Sequence, residues 1–459
     1  MGYINPLGEE KILNLLFKFS IPAIVGMMVN ALYNIVDRMF IGRSGDLGSN
    51  GLEAITIVFP IMFILLAIAI LFGIGGATLF SIRLGEKKQE EAEKALGNGF
   101  SLLIISGLVF MILGQIFLVP LLSLFGAKEE IMPYATQYMR VIFSGAVFQI
   151  LSMGLNNFIR ADGSPNYAMA TMFLGAGTNI LLDYIFIFVF KMGMSGAALA
   201  TILAQLFSCI WVVSYFVGKK SRTKLKLKYM KLNFQMVIRI VSLGLPGFLL
   251  QLANSLLNAI LNKSLLHYGG NVAGMGIINS IQALLVMPII GIRQGAQPII
   301  SFNFGAKKYN RAKKAVKLAI LAATIIIVVG YVVIRVFPEG IIGMFNKEPE
   351  VLEFGSYALL AWFLCAPVIG FQIIAANFFQ AIGRAKSATF LTLTRQVILL
   401  IPAIIVFPKI WGINGLLYAA PFADFFSAIL TGIWFYYGMK GLKEKPDEIS
   451  NDIDGKVVL

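Results

Sequence analysis

Two stretches of the chain are near copies of each other: Gly85-Glu-Lys-Lys-Gln-Glu-Glu-Ala-Glu-Lys-Ala95 and Gly305-Ala-Lys-Lys-Tyr-Asn-Arg-Ala-Lys-Lys-Ala315. Gly305 follows Gly85 by 220 positions, and both stretches carry a Gly, paired lysines and small residues in the same order. Self-similarity at a fixed spacing indicates a duplicated structural unit.

Three further blocks repeat in the same order at nearly the same spacing. Asn157–Gly163 matches Asn377–Gly383 at the same offset of 220. The other two blocks pair Pro22, Asn30 and Asn34 with Pro246, Asn254 and Asn258, and pair Gly193 and Gly196 with Gly412 and Gly415. Four blocks in one order predict that about half of the chain is duplicated.

The composition shows what kind of unit is repeated. Of the 459 residues, 58% are apolar and only 13% are charged, about half the charged fraction of ~25% in soluble domains. Mean hydropathy is +0.82. These values exclude a cytosolic enzyme. A nucleic-acid binder is excluded despite the net charge of +15, because the charge lies in short runs between apolar segments.

Hydropathy predicts an all-α membrane protein with twelve transmembrane helices in two six-helix lobes. We expect an N-lobe over residues 1–218, a basic linker over 219–233, a C-lobe over 234–440 and a cytoplasmic tail over 441–459. The predicted span cores are 14–41, 54–80, 97–122, 135–159, 168–190, 194–217, 236–262, 273–300, 315–337, 355–379, 388–408 and 413–437.

Other residue types add little chemistry. Cys209 and Cys365 both lie inside apolar runs, so a disulfide framework is not expected. The single histidine, His267, cannot form a multi-histidine metal site. The first apolar run is too long for a signal peptide and lacks a small-residue cleavage site, so we expect it to remain as the first membrane helix.

The distribution of Lys and Arg predicts the orientation. The linker holds seven basic residues and no acid: Lys219, Lys220, Arg222, Lys224, Lys226, Lys228 and Lys231. Most other loop Lys and Arg residues fall on the same side as the linker, so that side and both termini are predicted to be cytoplasmic. The linker itself is interpreted as a solvated connector, with a lipid-headgroup site as the alternative.

An even-numbered unit repeats with the same orientation in the membrane. The two lobes are therefore expected to be related by an axis along the membrane normal, with a cavity between them, as in transporters that rock one half against the other. Pro22 and Pro246 occupy matching repeat positions early in long helices. Each predicts a kink that is either a hinge or static packing.

Two carboxylates lie at membrane depth, where a charge is costly and usually functional. Asp37 ends a polar stripe with Asn30, Tyr33 and Asn34 at helical spacing, and Asp183 follows Asn179 by one turn, with Thr201 in the next helix. Asp37 aligns with Leu261 in the repeat, and Asp183 with Pro402 or Ala403.

The absence of both acids from the second half predicts an ion site in the first half only. The alternative is that each Asp is merely hydrogen-bonded to its helix neighbours. Oxygen ligands suit a hard cation such as Na⁺, and protonation of the same pair is nearly as well supported. No other cofactor is predicted.

The chain resembles the MATE (multidrug and toxic compound extrusion) transporters, most of all the MepA-like branch, from Pro6 to about Lys440. The most specific stretches are Tyr33-Asn-Ile-Val-Asp-Arg-Met-Phe-Ile-Gly42, Asp162-Gly-Ser-Pro-Asn166 and Gln294-Gly-Ala-Gln-Pro-Ile-Ile-Ser-Phe-Asn-Phe-Gly305. The resemblance implies a V-shaped pair of lobes and export of varied amphipathic, often cationic, compounds in exchange for Na⁺ or H⁺.

The resemblance also implies a coupling-ion site at Asp37, Asn179, Asp183 and Thr201 in the N-lobe. Other branches place coupling acids on the seventh and eighth helices, whereas this chain has the neutral Asn254, Asn258 and Gln282 there. Arg293 departs from the usual small or neutral residue, which weakens the expectation of purely cationic substrates.

The cavity is expected to offer polar contacts among adaptable Phe and Met side chains. Its predicted contacts are Asn30, Tyr33, Ser152, Asn156, Gln282 and Arg293. Asp424 is the only acid near the middle of a C-lobe helix, and a buried Arg needs an anion, carbonyls or water. We therefore predict that Arg293 and Asp424 approach each other or share a water-filled pocket.

The predicted function is a cation-coupled multidrug efflux antiporter in the plasma membrane. Its expected partners are small amphipathic substrates and the lipid bilayer, without nucleic acid, and a monomer is expected. A flippase for a lipid or lipid-linked precursor is the first alternative. A non-transporting scaffold or receptor is the second, and it would call for a sizeable soluble domain that the sequence lacks.

Overall fold

A computed structural model describes residues 5–44 and 47–442, in which all regular secondary structure is helical. The predicted tail over 441–459 lies outside the described residues, apart from Gly441 and Leu442. The helices are α1 (Pro6–Glu9), α2 (Ile12–Arg43), α3 (Gly48–Gly85), α4 (Gln89–Ile116), α5 (Leu118–Leu124), α6 (Met132–Ser144), α7 (Ala146–Ala161), α8 (Pro165–Asp183), α9 (Gly193–Val217), α10 (Phe234–His267), α11 (Val272–Gly305), α12 (Tyr309–Val336), α13 (Pro338–Gly343), α14 (Pro349–Trp362), α15 (Ile369–Ala381), α16 (Ala385–Leu393) and α17 (Ile401–Lys440).

Several predicted spans are built from more than one helical segment. The α6–α7 pair bends by 57° and the α14–α15 pair by 48°, each at a break of a few residues. Two π-helical segments, Tyr184–Val189 after α8 and Thr394–Leu400 between α16 and α17, continue their spans without a break.

The last helical stretch, Ala385–Lys440, contains two spans. Its 56 residues would measure about 84 Å as a straight helix, far more than the ~30 Å of a hydrocarbon core. Gly412, with φ 58° and ψ −142°, interrupts the helical backbone. Beyond Gly412 the chain folds back, so that the rings of Phe407 and Phe422 lie 4.9 Å apart. Within the described residues, this division gives the twelve predicted spans.

The backbone confirms the repeat. Three turns in the first half have a left-handed residue whose counterpart in the second half is left-handed too. The pairs are Lys87 (φ 60°) with Lys307 (φ 58°), Gly163 (φ 98°) with Gly383 (φ 79°), and Gly193 (φ 61°) with Gly412 (φ 58°). The duplicated sequence blocks therefore encode duplicated turns, and the prediction of two six-helix lobes is confirmed. The exact lobe boundaries at 218 and 234 stay a prediction.

Each lobe has its own apolar core, and the first long helix of each lobe begins in the core of the other. The start of α2 packs in the core formed by the second half of the chain. The start of α10 packs in the core formed by the first half. The crossing residues stand at matching repeat positions: Ile12 with Met236, Leu16 with Ile240, and Phe19 with Leu243.

The lobes touch backbone to backbone at the end of the bundle where residues 219–233 lie, here named the connector end. A Cβ atom at Gly244 would lie 1.8 Å from the Leu71 carbonyl oxygen, and one at Gly305 would lie 2.1 Å from the Ile82 carbonyl oxygen. Real Cβ atoms do not approach so closely, so only glycine fits at Gly244 and Gly305. Together with Gly75 and Gly85, which face them in α3, these residues form what we name the glycine seal.

Polar contacts outside the glycine seal also join the segment before each lobe's first long helix to the other lobe. The Asn303 amide donates to the Leu7 carbonyl (2.8 Å), and the Lys308 ammonium lies 2.6 Å from the Glu9 carboxylate. That contact lowers the pKa of the Glu9 carboxyl. In the other lobe the Asn98 side chain accepts from the Asn233 backbone N–H (2.8 Å). Each lobe therefore holds the segment that leads into the other lobe.

Replacing Gly244 with Ala is expected to weaken the seal, because the added methyl group collides with backbone rather than with a flexible side chain. Overpacking of this kind costs about 1–3 kcal/mol. In a background without Cys209 and Cys365, a cysteine at the buried position Ser301 should react faster with a soluble maleimide when Gly244→Ala is present. Gly432→Ala is the control, since a Cβ there has nothing within 4 Å. Equal labelling rates in both variants would show that the seal tolerates the methyl group.

Candidate functional site

A cavity of about 480 Å³ lies between the lobes, within the range of ligand pockets. Side chains from both lobes line it, and slightly more than half of the lining residues are polar. All six predicted cavity residues are in the lining: Asn30, Tyr33, Ser152, Asn156, Gln282 and Arg293.

Helix α2 carries the predicted polar stripe, and the structure divides it. Asn30 and Tyr33, three residues apart on the helix, line the cavity. Asn34 is exposed on another face, where its amide donates to the Asn30 carbonyl (2.7 Å). Asp37, one turn beyond Tyr33, is buried in the N-lobe. The helix therefore presents two residues of the polar stripe to the cavity and one acid to the lobe interior.

The four residues of the predicted ion site converge inside the N-lobe. The carboxyl groups of Asp37 and Asp183 come within hydrogen-bonding range of each other. The Asn179 amide donates to the Thr201 hydroxyl at 3.4 Å. Asp183 is fully buried, and Asn179 is 2% exposed. Three helices, α2, α8 and α9, supply these side chains.

Several oxygen atoms in this site have no hydrogen-bond donor. They are Asp37 Oδ1, both carboxylate oxygens of Asp183, and Asn179 Oδ1. A buried charge without a partner is strongly unfavourable, and two facing carboxylates repel each other. A proton or a cation between them removes both penalties.

The donor set suits a hard cation. The described residues contain no group of three or more His, Cys, Asp and Glu side chains placed to hold a metal ion. Two carboxylates, an amide oxygen and a hydroxyl are instead oxygen ligands, which hard cations prefer. Na⁺ and H⁺ both fit this site.

Tyr138 on α6 is a member of this cluster that the sequence analysis missed. Its buried hydroxyl interacts with the Thr201 hydroxyl, and its ring lies near Asp37 and Asp183. The signal was weak, because a tyrosine near the start of a span is usual at membrane interfaces. The packing of α6 against α9 in the structure brings Tyr138 to Thr201.

The other cavity residues take part in local hydrogen bonds. The Ser152 hydroxyl lies 2.8 Å from Gln205 Oε1, and Gln282 Oε1 accepts from the Trp362 indole N–H at 2.8 Å. Asn156 Oδ1 is buried without a partner. Asn156 therefore has the freest polar group of these three for a ligand.

Pro22 and Pro246 are both buried inside their helices, and Pro246 also lines the cavity. Each removes one helical hydrogen bond close to where its helix crosses into the other lobe. Their role as hinges stays a prediction.

The predicted approach of Arg293 to Asp424 is wrong. Asp424, 1% exposed, forms an ion pair with Arg395 of the preceding span. Gln372 completes the cluster by donating to the Asp424 carbonyl and to the Ser427 hydroxyl. Arg395 was visible in the sequence as an arginine inside the predicted span 388–408, and matching it with the only acid near the middle of a C-lobe span would have found the pair.

A helical membrane protein with two repeated lobes around a central cavity has the architecture of secondary transporters. The comparisons agree with this class. A model of the MatE family matches residues 22–185 and 246–405, one match in each half of the repeat. The chain belongs to the MatE family, and it is not an enzyme.

Individual relatives cover nearly the whole chain. "Multidrug export protein MepA" of Staphylococcus aureus (strain MSSA476) is 27% identical over 431 residues, covering 93% of this chain and 94% of its own. A structure of the MATE multidrug transporter DinF-BH, solved in complex with a ligand, is 38% identical with a TM-score of 0.87, covering 94% of this chain and 96% of its own.

A third relative is a solved structure whose conformation is stated. A structure titled "Outward-facing conformation of a multidrug resistance MATE family transporter of the MOP superfamily" superposes with a TM-score of 0.89 at 25% identity. It covers 96% of this chain and 98% of its own. The present fold, with the lobes in contact at the connector end, is similar to that conformation.

Neutralising either partner of the Arg395–Asp424 pair is expected to destabilise the protein by about 3–5 kcal/mol, since a lone buried charge is left behind. The double variant Arg395→Gln/Asp424→Asn should recover most of the folded yield, measured by size-exclusion chromatography in detergent. Combining Asp424→Asn with Arg293→Gln is the matched control, and its effects should be additive. Additive effects for Arg395 and Asp424 would contradict the pair.

Proposed function

We propose that this protein is a cation-coupled multidrug efflux antiporter of the plasma membrane that works by alternating access. The connector end is cytoplasmic, together with both termini, because the linker and most loop Lys and Arg residues lie there. The names of the relatives support export of drug-like compounds, since one is a multidrug export protein and another is a multidrug transporter with a bound ligand.

The unpartnered carboxylate oxygens of Asp37 and Asp183 carry the proposal of coupling. An ion that binds between them stabilises the arrangement of α2 and α8 in which the two groups face each other. Without the ion, repulsion favours an arrangement in which they separate. A ligand shifts a conformational equilibrium only through such a difference in affinity.

Helix α2 connects this switch to the substrate. Tyr33 lines the cavity one turn before Asp37, so a rotation or bend of α2 that moves Asp37 also changes the cavity wall. Pro22 lies nearer the connector end of the same helix, where a missing hydrogen bond makes bending easier. Ion binding and substrate release are in this way coupled through one helix.

Counterflow in proteoliposomes tests the coupling. The dye rhodamine 6G is added outside the vesicles as the probe, and an outward Na⁺ gradient or an outward proton gradient is imposed separately at equal osmolarity, because an antiporter takes up the dye as the ion leaves. Uptake driven by one gradient identifies the ion. Equal flux with neither gradient, with Na⁺ alone and with H⁺ alone would contradict antiport.

Asp37→Asn and Asp183→Asn are each expected to abolish gradient-driven transport, at least a tenfold loss of initial rate, while the protein still folds. Folding is retained because the asparagine amide removes the charge for which the ion was the counterpart. Glu53→Gln, an exposed carboxylate at the other end of α3 from the seal, is the control and should transport normally. Full gradient-driven export by either Asp variant would refute the site.

A further inference from the structure

The charged side chains of the cavity wall all have one sign. Among the described residues that line the cavity, the charged ones are three arginines, Arg160, Arg293 and Arg395, and none is acidic or a lysine. Arg395 is neutralised by its ion pair with Asp424. Two positive charges, one from each lobe, remain without a carboxylate.

Arg293 has no charged partner among the described residues. Its Nε is buried and makes no hydrogen bond. The residues around it fix its helix firmly, since Gly291 packs against the Ile24 backbone and the Gln294 amide contacts the Met27 sulfur. Arg293 therefore lies on a closely packed part of α11.

Arg160 is held in place but not neutralised. It is 5% exposed, and its Nη2 donates to the neutral Asn157 side chain at 2.9 Å. Asp162, the acid nearest in sequence, is occupied elsewhere, accepting from the Tyr215 and Ser221 hydroxyls at 2.8 and 2.9 Å. The Arg160 charge is therefore directed at the cavity rather than at an internal partner.

An arginine cannot lose its proton in a protein, so both charges persist at every working pH. Water solvates them while the cavity is open. When the lobes close around a substrate and exclude water, an uncompensated guanidinium becomes costly. A cationic substrate increases that cost, whereas an anionic group removes it with charge-assisted hydrogen bonds.

We infer that the cavity binds amphipathic anions, compounds with an apolar body and one sulfonate, carboxylate or phosphate group that Arg293 and Arg160 hold. The inference rests on the proposed export function and names its substrate class. The apolar body would lie on the wall formed by Met27, Leu66, Ile70 and Ile290.

The test uses two probes with the same apolar body. 8-Anilinonaphthalene-1-sulfonate carries a sulfonate, and N-phenyl-1-naphthylamine is its neutral parent. Binding of each to the full-length protein in phosphatidylcholine nanodiscs is measured by isothermal titration, with empty nanodiscs subtracted. The sulfonate is expected to bind at least tenfold more tightly than the neutral parent, as a charge-assisted hydrogen bond predicts.

Arg293→Gln should lower the sulfonate affinity about tenfold or more and leave the neutral parent unchanged. Arg293→Lys keeps the charge and should retain most of the sulfonate affinity. Arg239→Gln is the matched control, since Arg239 is an exposed arginine outside the cavity. A sulfonate affinity equal to that of the neutral parent, or unchanged in Arg293→Gln, would overturn the inference.

Phosphatidylglycerol added to the nanodiscs distinguishes two sources of the anion. Displacement of the sulfonate that requires Arg293 supports the inference and assigns the anion to a lipid headgroup. Sulfonate binding that persists in the presence of phosphatidylglycerol also supports the inference and assigns the anion to a soluble compound. Export of the rhodamine dye without sulfonate binding leaves the proposed function standing and overturns the anion site. Arg293-dependent sulfonate binding without any export would support the anion site and overturn the proposed export function.

Discussion

Backbone contact between the lobes at the glycine seal is the constraint on which the rest of the structure depends. At Gly244 and Gly305 even one methyl group would strike a carbonyl of the opposite lobe. The lobes are in contact at the connector end. Because their helices are long and kinked, the lobes can diverge beyond that contact, which leaves room for the cavity between them. The position of the cavity, its lining and its similarity to an outward-facing relative all follow from that contact.

The two kinds of charge in the molecule are kept apart. The acids Asp37 and Asp183 are enclosed within the N-lobe, whereas Arg160 and Arg293 face the cavity. If they met, they would neutralise each other as Arg395 and Asp424 do, and neither site would need an external ion. Their separation allows the proposed cation site and the proposed anion-binding wall to exist in one protein, with α2 contributing to both.

Much of the fold and of the candidate site could be predicted from the sequence. Repeated blocks and hydropathy were sufficient for the lobes, and six residues of the cavity lining were predicted, among them Asn30 and Tyr33 from their helical spacing. The partner of a buried charge on another helix was predicted wrongly for Asp424, although its true partner Arg395 was visible inside the predicted span 388–408. Periodicity gives the polar face of one helix, but the π-helical segment Thr394–Leu400 changes the rotation of the span that holds Arg395.

The crossing of the first helices has a consequence for biosynthesis. The Leu7 carbonyl binds Asn303, a residue 296 positions later in the chain, and Leu7, Ile12 and Phe19 pack in a core otherwise made by the second half. The ribosome delivers the start of α2 long before its partners exist. The start of α2 must therefore wait in the membrane for helices of the second half, and the core of the first half is not complete until the start of α10 has been made.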